Sequence, residues 1–554
     1  MTGFTLNQFG GKAPKVYARA LPPNMAQKAT NVRLDSGRLD PWKGNSATAT
    51  GTATVEGTIS NQTKTIFKYS DSLWVAKNSA ADYVRSPIAE DPHERIYVTD
   101  YIDTNSGNYP RMTTASIAGN ATYYRLGMPT PSNLGVTGIS PVTSGKTEEE
   151  TPTSRSYIYT YVSAYGEEGE PSVPQVDNVL TLFSDQTATV NFGNHDADNH
   201  NIASKRIYRT DANGDYRFVA DVGLNAASYE DQVANENLGE VIPTSSFSAP
   251  PDEISSEHTN GPMRGLKALP NGVFAGFSGK TILFSEPFQP HAYPEEYRLT
   301  VKTDIVSLAP LQNGLLVLTK GKPALITGSD PSFMSMTEID STLSCVSKRS
   351  VVDMGDAVIY ASPDGLVIAT ETGVNLATSG IFTRDQWQDL SPESITAYAW
   401  EGYYVGFYST GTLSRGFVFD PRGGANSYID LDFHATAGFS DLVNDVLYLV
   451  VNGSLHTFAS GSNLNYTWKT KKFYIPRPIN PAVAKVDCDD YGDGVVFKLY
   501  AGGSASAVFT CTVQDSSVFR LPSGYKDNEF EIQVEANVAI NEICVYESAE
   551  EIGG

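Results

Sequence analysis

The stretch Lys205-Arg-Ile-Tyr-Arg-Thr-Asp-Ala-Asn-Gly-Asp-Tyr-Arg-Phe-Val-Ala220 decides the fold class. Two runs of aromatic and β-branched residues flank Asp211-Ala-Asn-Gly214, and the Asn-Gly step supplies the positive φ of a tight hairpin turn. The same grammar recurs outward in both directions. Tyr157-Ile-Tyr-Thr-Tyr-Val162, Gly314-Leu-Leu-Val-Leu-Thr319, Tyr403-Tyr-Val-Gly-Phe-Tyr408 and Asp445-Val-Leu-Tyr-Leu-Val-Val451 all read as strands. Beyond residue 35 no helical stripe of about 12 residues stands out. A short helix is expected at Pro22–Asn31, where Pro-Pro precedes Asn-Met-Ala-Gln-Lys-Ala. The chain therefore reads as all-β.

Composition narrows the functional classes. The 554 residues are 40% hydrophobic and 19% charged, ordinary for a folded protein and long enough for several domains. No run approaches the roughly 18 apolar residues of a membrane span, and Met1–Lys15 shows no secretory pattern. Lys plus Arg number 40 against 63 Asp plus Glu, a net charge of −23. That balance argues against a protein that grips nucleic-acid phosphates, but not against a wall past which nucleic acid slides. The four cysteines, Cys345, Cys488, Cys511 and Cys544, form no CxxC knuckle. Buried free thiols are expected, with a bridge among the last three left open.

Punctuation by Pro and Gly suggests five segments. Residues 1–64 read as an extended leader followed by a small, polar surface segment or long hairpin. Residues 65–130 hold strands at Thr65–Tyr69, Leu73–Ala76, Arg95–Thr99 and Thr122–Arg125, ending at the Leu126-Gly-Met-Pro-Thr-Pro-Ser132 boundary. Residues 131–252 read as a fibronectin type III-like β-sandwich, inserted between propeller strands and leaving through Ser248-Ala-Pro-Pro251. Residues 253–470 repeat apolar strand, Gly turn and strand with a period near 40, the pattern of a β-propeller. About six blades are expected if residues 65–130 join the ring, with early strands closing it against late ones. Residues 471–554 read as a small C-terminal β domain.

Candidate chemical motifs mostly fail on their own terms. Gly279-Lys280-Thr281 ends like a phosphate loop, but Phe274 stands where a Gly is needed and a strand follows instead of a helix. His195-Asp196-Ala-Asp198-Asn-His200 and Asp211-Ala-Asn-Gly-Asp215 lack the Gly and Glu of a calcium loop and read as polar turns. Ser362-Pro-Asp-Gly365 is similar to the turn box of sialidase propellers, yet is one residue short with no Trp following, and reads as a hairpin turn. The seven His are scattered and no Gly-x-Ser-x-Gly elbow occurs. Trp74, Trp387, Trp400 and Trp468 read as core in preference to sugar platforms. The expectation is a protein without enzyme activity, cofactor or metal.

Several phrases carry a resemblance. They are Phe9-Gly-Gly-Lys-Ala-Pro14, Leu21-Pro-Pro-Asn-Met-Ala-Gln-Lys-Ala-Thr-Asn31 and Leu34-Asp-Ser-Gly-Arg-Leu-Asp-Pro-Trp42, then Arg206-Ile-Tyr-Arg-Thr210, Leu269-Pro-Asn-Gly-Val-Phe-Ala-Gly-Phe277, Phe284-Ser-Glu-Pro287, His291-Ala-Tyr-Pro294, Cys345-Val-Ser-Lys-Arg-Ser350, Tyr360–Gly365 and Trp468-Lys-Thr-Lys-Lys-Phe473. In this order they resemble the tail nozzle, or tail tubular protein B-like, components of short-tailed bacteriophages. The resemblance covers about residues 1–475 and touches no catalytic motif.

The resemblance implies a structural protein of the virion tail, assembled in the host cytoplasm as a hexameric ring. The ring would stack under a tail adaptor protein, hold tail fibres or plug proteins, and let double-stranded DNA pass during ejection. Gly10, Gly11, Pro14, Leu21, Pro22, Asn31, Pro41 and Trp42 are the assembly-interface candidates. The leader, extended and rich in Gly and Pro, is expected to reach across a neighbour instead of forming core, so that loss of residues 1–42 would leave the sandwich folded but weaken assembly. The alternative reading is a receptor-binding or glycan-cleaving β-propeller of the tail.

Overall fold

In the computed structural model the described residues are 3–48, 53–100, 108–131, 136–141, 152–174, 179–183, 187–193, 195, 199–252, 259–423 and 427–551. The structure is all-β. The chain divides into two compact units, one of residues 1–78, 318–323 and 338–554, the other of residues 79–317 and 324–337.

The first unit contains four small meanders. Thr65–Ser70 and Leu73–Lys77 pair antiparallel, and Thr54–Glu56 adds parallel to the second of them. Val352–Asp353, Val358–Ala361, Leu366–Thr370 and Gly373–Leu376 form the next meander, and Thr396–Trp400, Tyr403–Ser409, Ser414–Phe419 and Tyr428–Leu431 a third. In the fourth, Ala437–Asp441, Val446–Val451 and Ser454–Thr457 take the early strand Ser46–Ala47 as their outer member. Neighbouring meanders share cores. Ile66 and Trp74 pack with Ala437, Val450 and Leu455, and Ile359 and Leu366 pack with Tyr404, Phe417 and Tyr428.

The same unit ends in two facing sheets. One holds Tyr466–Thr470, Asp527–Ala536, Val495–Ala501 and Phe509–Val513, with Phe473–Ile479 also pairing Asp527–Ala536. The other holds Ile540–Tyr546 between Phe4–Leu6 and Val483–Cys488, with Phe519–Arg520 at the edge. Val495–Ala501 shows the strand rule plainly: Val495, Phe497, Leu499 and Ala501 are buried, while the intervening residues are only half-buried. The inward faces meet in one large core with Trp468, Ile532, Val534, Ile543 and Val545.

The second unit has three more meanders. Asp82–Arg85, Ile96–Thr99, Arg111–Thr113 and Tyr124–Arg125 form the first. Arg264–Ala268, Phe274–Ser278, Thr281–Phe284 and Leu299–Thr300 form the second, and Ile305–Leu311, Gly314–Thr319, Ala324–Thr327 and Ser335–Glu338 the third. Tyr97 and Met112 share a core with Leu266, Phe274 and Tyr293, and Phe277 and Ile282 share one with Leu308 and Val317. Between the first two meanders the chain builds a sandwich. Val136–Pro141, Ala188–Phe192 and Ser228–Asp231 make one sheet, Tyr157–Ser163, Ile202–Thr210 and Tyr216–Gly223 the other. Leu182, Val190, Tyr159 and Ile207 lie between them.

The Lys205–Ala220 hairpin is present in the register the turn dictates, with Thr210 opposite Tyr216 and Gly214 at φ 90°. Gly279 (φ 59°) likewise turns Ser278 back onto Thr281, so a strand and not a helix follows the Gly-Lys-Thr phrase, as expected. Three expectations are corrected. Pro22–Asn31 is not helical: Ala26–Thr30 is a strand, held by partners at Asp430 and Thr467–Thr470 that override its helix-forming composition. Residues 43–64 are not a hairpin, because Ser46–Ala47 and Thr54–Glu56 pair into two different sheets. The leader does form core, since Leu6, Phe9, Ala26, Ala29, Val32, Leu39 and Trp42 all join the large cluster of the first unit.

Early strands do pair with late ones, at Phe4–Leu6, Ala26–Thr30 and Ser46–Ala47. All four cysteines are free thiols, and burial pushes the Cys345 thiol up to about 12. Among the described residues no helix is long and apolar enough to cross a membrane.

Candidate functional site

The assembly-candidate residues all lie along one seam of the first unit, where the leader threads between the meander Thr396–Leu431 and the C-terminal sheets. The strand Ala26–Thr30 is its spine. It runs antiparallel to Tyr466–Thr470 and touches Tyr428–Leu431 in parallel through Thr30 and Asp430, so a single leader strand joins two sheets into one of ten strands.

Each end of the spine is fastened by the phrases noted in the sequence. The Gly10 amide donates to Asn24 O at 2.7 Å, and Gly11 O accepts from the Ala26 amide at 3.1 Å. Gly10 O also accepts the indole N–H of Trp468 at 3.1 Å, while the Trp468 ring meets Phe9 edge-on at 5.0 Å. Pro14 O accepts from Gln386 Nε2 at 2.9 Å. Leu21, 2% exposed, packs with Ala13 and Met25, and its carbonyl accepts from the Lys471 ammonium. Burial lowers the Lys471 pKa. Pro22 is exposed, and its carbonyl receives the Met25 amide at 3.1 Å.

Asn31 is the hinge pin of the seam. It is buried at φ 55°, a left-handed conformation that Asn tolerates better than most residues. Its amide donates to Asp430 O at 2.9 Å and its carbonyl accepts from Trp42 N at 2.9 Å. The side chain donates to Asn465 O at 3.2 Å and accepts from Asp432 N at 3.1 Å. One residue thus ties four chain segments. Pro41 pairs opposite Val32. Trp42 is buried against Trp400, Tyr403 and Phe458, with the Arg33 guanidinium 5.7 Å from its ring. Burial, and a bond to Asp35, push the Tyr403 hydroxyl up to about 12.

Gly10, Gly11, Leu21, Asn31 and Trp42 are therefore buried within their own chain, and Pro14 and Pro41 are half-buried. What the leader turns outward is the bulge at residues 15–23, where Lys15, Tyr17, Arg19, Ala20, Pro22 and Pro23 are exposed.

The other recurring phrases also sit at joints. In Cys345–Ser350, Ser347 Oγ donates to Ile395 O at 2.8 Å, and Ser350 Oγ donates to Ser347 O at 2.8 Å while accepting from Ala361 N at 2.9 Å. In the second unit Ser285 Oγ accepts from Phe274 N at 2.8 Å, and His291 Nε2 lies 3.0 Å from Glu168 O. The Ser362–Gly365 turn is capped by the indole N–H of Trp387, 2.8 Å from Ser362 O. That Trp arrives from the helix Arg384–Gln388, too far along the chain for a spacing rule to find.

The remaining motif residues are spent on structure. Asp211 accepts from the amides of Asn213 and Asp215 and from Arg217 Nε at 2.7 Å, which lowers its pKa. Asp196 and Asp198 lie outside the described residues. Among the described residues no three His, Cys, Asp or Glu side chains are grouped to hold a metal.

No protein-family model matches the chain, and no curated protein matches it. Among solved structures, two of the extracellular domain assigned to the BT4673 system of B. thetaiotaomicron, described once as a one-component and once as a hybrid two-component system, match at 10% identity and a TM-score of 0.23. The match covers 70% of this chain and 48% of that one, so the chain spans about half the length of these neighbours.

Proposed function

We propose that this chain is a structural component of a phage tail, a nozzle or tail-tube subunit that assembles into a ring through which DNA leaves the particle. One observation carries the reading. The phrases that resemble those of tail nozzle proteins fall on the joints of the architecture: the leader seam, the Ser347–Ser350 knot and the Trp468 anchor. Residues that recur because they hold a scaffold together are what a scaffold family would share.

Within this reading the small meanders are propeller blades, with Ser46–Ala47 completing a blade begun by late strands. The sandwich between the first two meanders of the second unit is the fibronectin-like insertion. The outward bulge at residues 15–23 is the assembly face. Six copies would carry a charge of about −138, six times −23. Charge of that sign along a lumen repels phosphates and lets DNA slide without the counterion release that holds it on basic walls. The adaptor, fibre and plug contacts belong to other faces of the same ring.

The test is imaging. Electron microscopy and mass photometry of the purified chain should show closed rings of about six copies, the number the resemblance implies, since head-to-tail contacts close into rings. Tyr17→Glu with Pro22→Glu should leave the chain folded and break the rings. A chain that stays monomeric at all concentrations and is absent from virions would overturn the proposal.

A further inference from the structure

We propose that the first unit carries a binding site for an anionic sugar, a hexose-sized ring bearing a carboxylate or a phosphate. The site is a cavity of about 400 Å³ lined by residues 61–64, Asn78, Arg349, Ser394, Thr396, Ser409 and 434–436. Small-molecule sites usually run from about 300 to 1,000 Å³.

The lining is unusual for this protein. Its charged or titratable groups are Lys64, Arg349 and His434, and no carboxylate lines it among the described residues. In a chain of net charge −23 that is the reverse of the average surface. Amides of Asn61, Gln62 and Asn78 supply the donors and acceptors that sugar hydroxyls use.

The cation at the wall is fixed in place. Arg349 Nη2 donates to Lys64 O at 2.8 Å and to Thr436 O at 2.6 Å, clamping two loops around the cavity. The Thr436 hydroxyl is buried without a partner. Such a group costs stability until an oxygen or water satisfies it. The Lys64 side chain is exposed at the rim. His434 lies half-buried, its ring edge-on to Phe407 at 6.1 Å. Burial and the neighbouring Arg349 lower its pKa, so at neutral pH it is an uncharged donor and acceptor. Arg349 and Lys64 together would take the oxyanion, and the amides of Asn61, Gln62 and Asn78 the ring hydroxyls.

This site goes beyond the tail reading and does not depend on it: a monomer could bind the sugar, and a ring could fail to. The test is calorimetric titration of the full chain with glucuronate, glucose 6-phosphate, glucose and inorganic phosphate. At least one of the two anionic sugars should bind about tenfold more tightly than glucose, the worth of one charge-assisted contact, and than inorganic phosphate. Which of them binds identifies the carboxylate or the phosphate as the natural anion. Lys64→Glu should weaken that sugar about tenfold or more at an unchanged melting temperature. If Lys64→Glu perturbs folding, Gln62→Ala serves instead, with an expected loss of about fivefold from one amide contact. Three results would overturn the proposal: no binding of either anionic sugar, inorganic phosphate binding as well as the sugars (an adventitious ion only), or undiminished binding by a folded variant.

Discussion

The sandwich of residues 136–231 and the leader seam solve the same problem, closing a β core, by opposite means. In the sandwich the fastening is local. Asp231 and Arg209, both fully buried, form an ion pair that also takes the Tyr157 hydroxyl at 2.6 Å, the Val233 carbonyl at 3.0 Å and the Asn235 side chain at 3.0 Å. Every partner lies within about 80 residues. In the seam the bonds from Trp468 to Gly10 and from Asn31 to Asn465 span 458 and 434 residues. The sandwich can close on its own short loop of chain. The seam needs nearly the whole sequence first, and long-range contacts of that kind are slow to form.

The contrast is broken most severely by deleting residues 1–42. That removes the strand joining two sheets, and we expect the first unit to lose cooperative unfolding altogether. Residues 131–252 expressed alone should still melt cooperatively, read by circular dichroism and calorimetry. A deletion variant with a native-like melt would show that the seam is decoration.

Point changes sharpen the comparison. Asp231→Asn leaves Arg209 buried without its counter-charge and should cost about 3–5 kcal/mol by denaturant titration. Trp468→Ala removes a fully buried ring and its bond to Gly10, a loss of similar size, about 3–5 kcal/mol. The two should differ kinetically: Trp468→Ala is expected to leave recovery of amide-exchange protection in Tyr157–Ser163 and Ile202–Thr210 unchanged, whereas Asp231→Asn slows or abolishes it.

An effect of pH separates the units further. Burial lowers His200, in the second unit, to about 4 from an ordinary value near 6.5. A histidine held neutral in the fold contributes its full share above pH 6.5, and that share falls away as pH drops from about 6.5 to 4, by up to about 3 kcal/mol. His200→Phe should flatten that slope; an unchanged slope would mean that other groups set it. The smallest effect is expected at the exposed pair Arg477–Glu547, 3.4 Å apart with Arg477 75% exposed. Arg477→Ala should shift stability by no more than about 0.5 kcal/mol.

The difference between the two regions also explains what could be read beforehand. The Lys205–Ala220 hairpin was legible because turn and both strands are adjacent in sequence. The strand Ala26–Thr30 was not: Ala-Gln-Lys-Ala favours helix, and only partners at residues 430 and 467–470 make it extended. The same distance hid the Trp387 cap on Ser362 and the pairing of Ser46–Ala47 with Ser454–Thr457. The phrases that hold the assembly candidates mark an internal joint, and the most exposed part of the bulge beside them, with Tyr17 68% exposed, lies between two of those phrases. The Arg349 cavity escaped for the same reason, being assembled from loops far apart in the chain.

The strand Phe4–Leu6 has its partner at Ile543–Val545. During translation at about 5–20 residues per second, this strand waits roughly half a minute or longer for the stretch that completes it. Throughout that interval Leu6 and Phe9 lack the late-made part of the core that buries them, such as Trp468 and Val545.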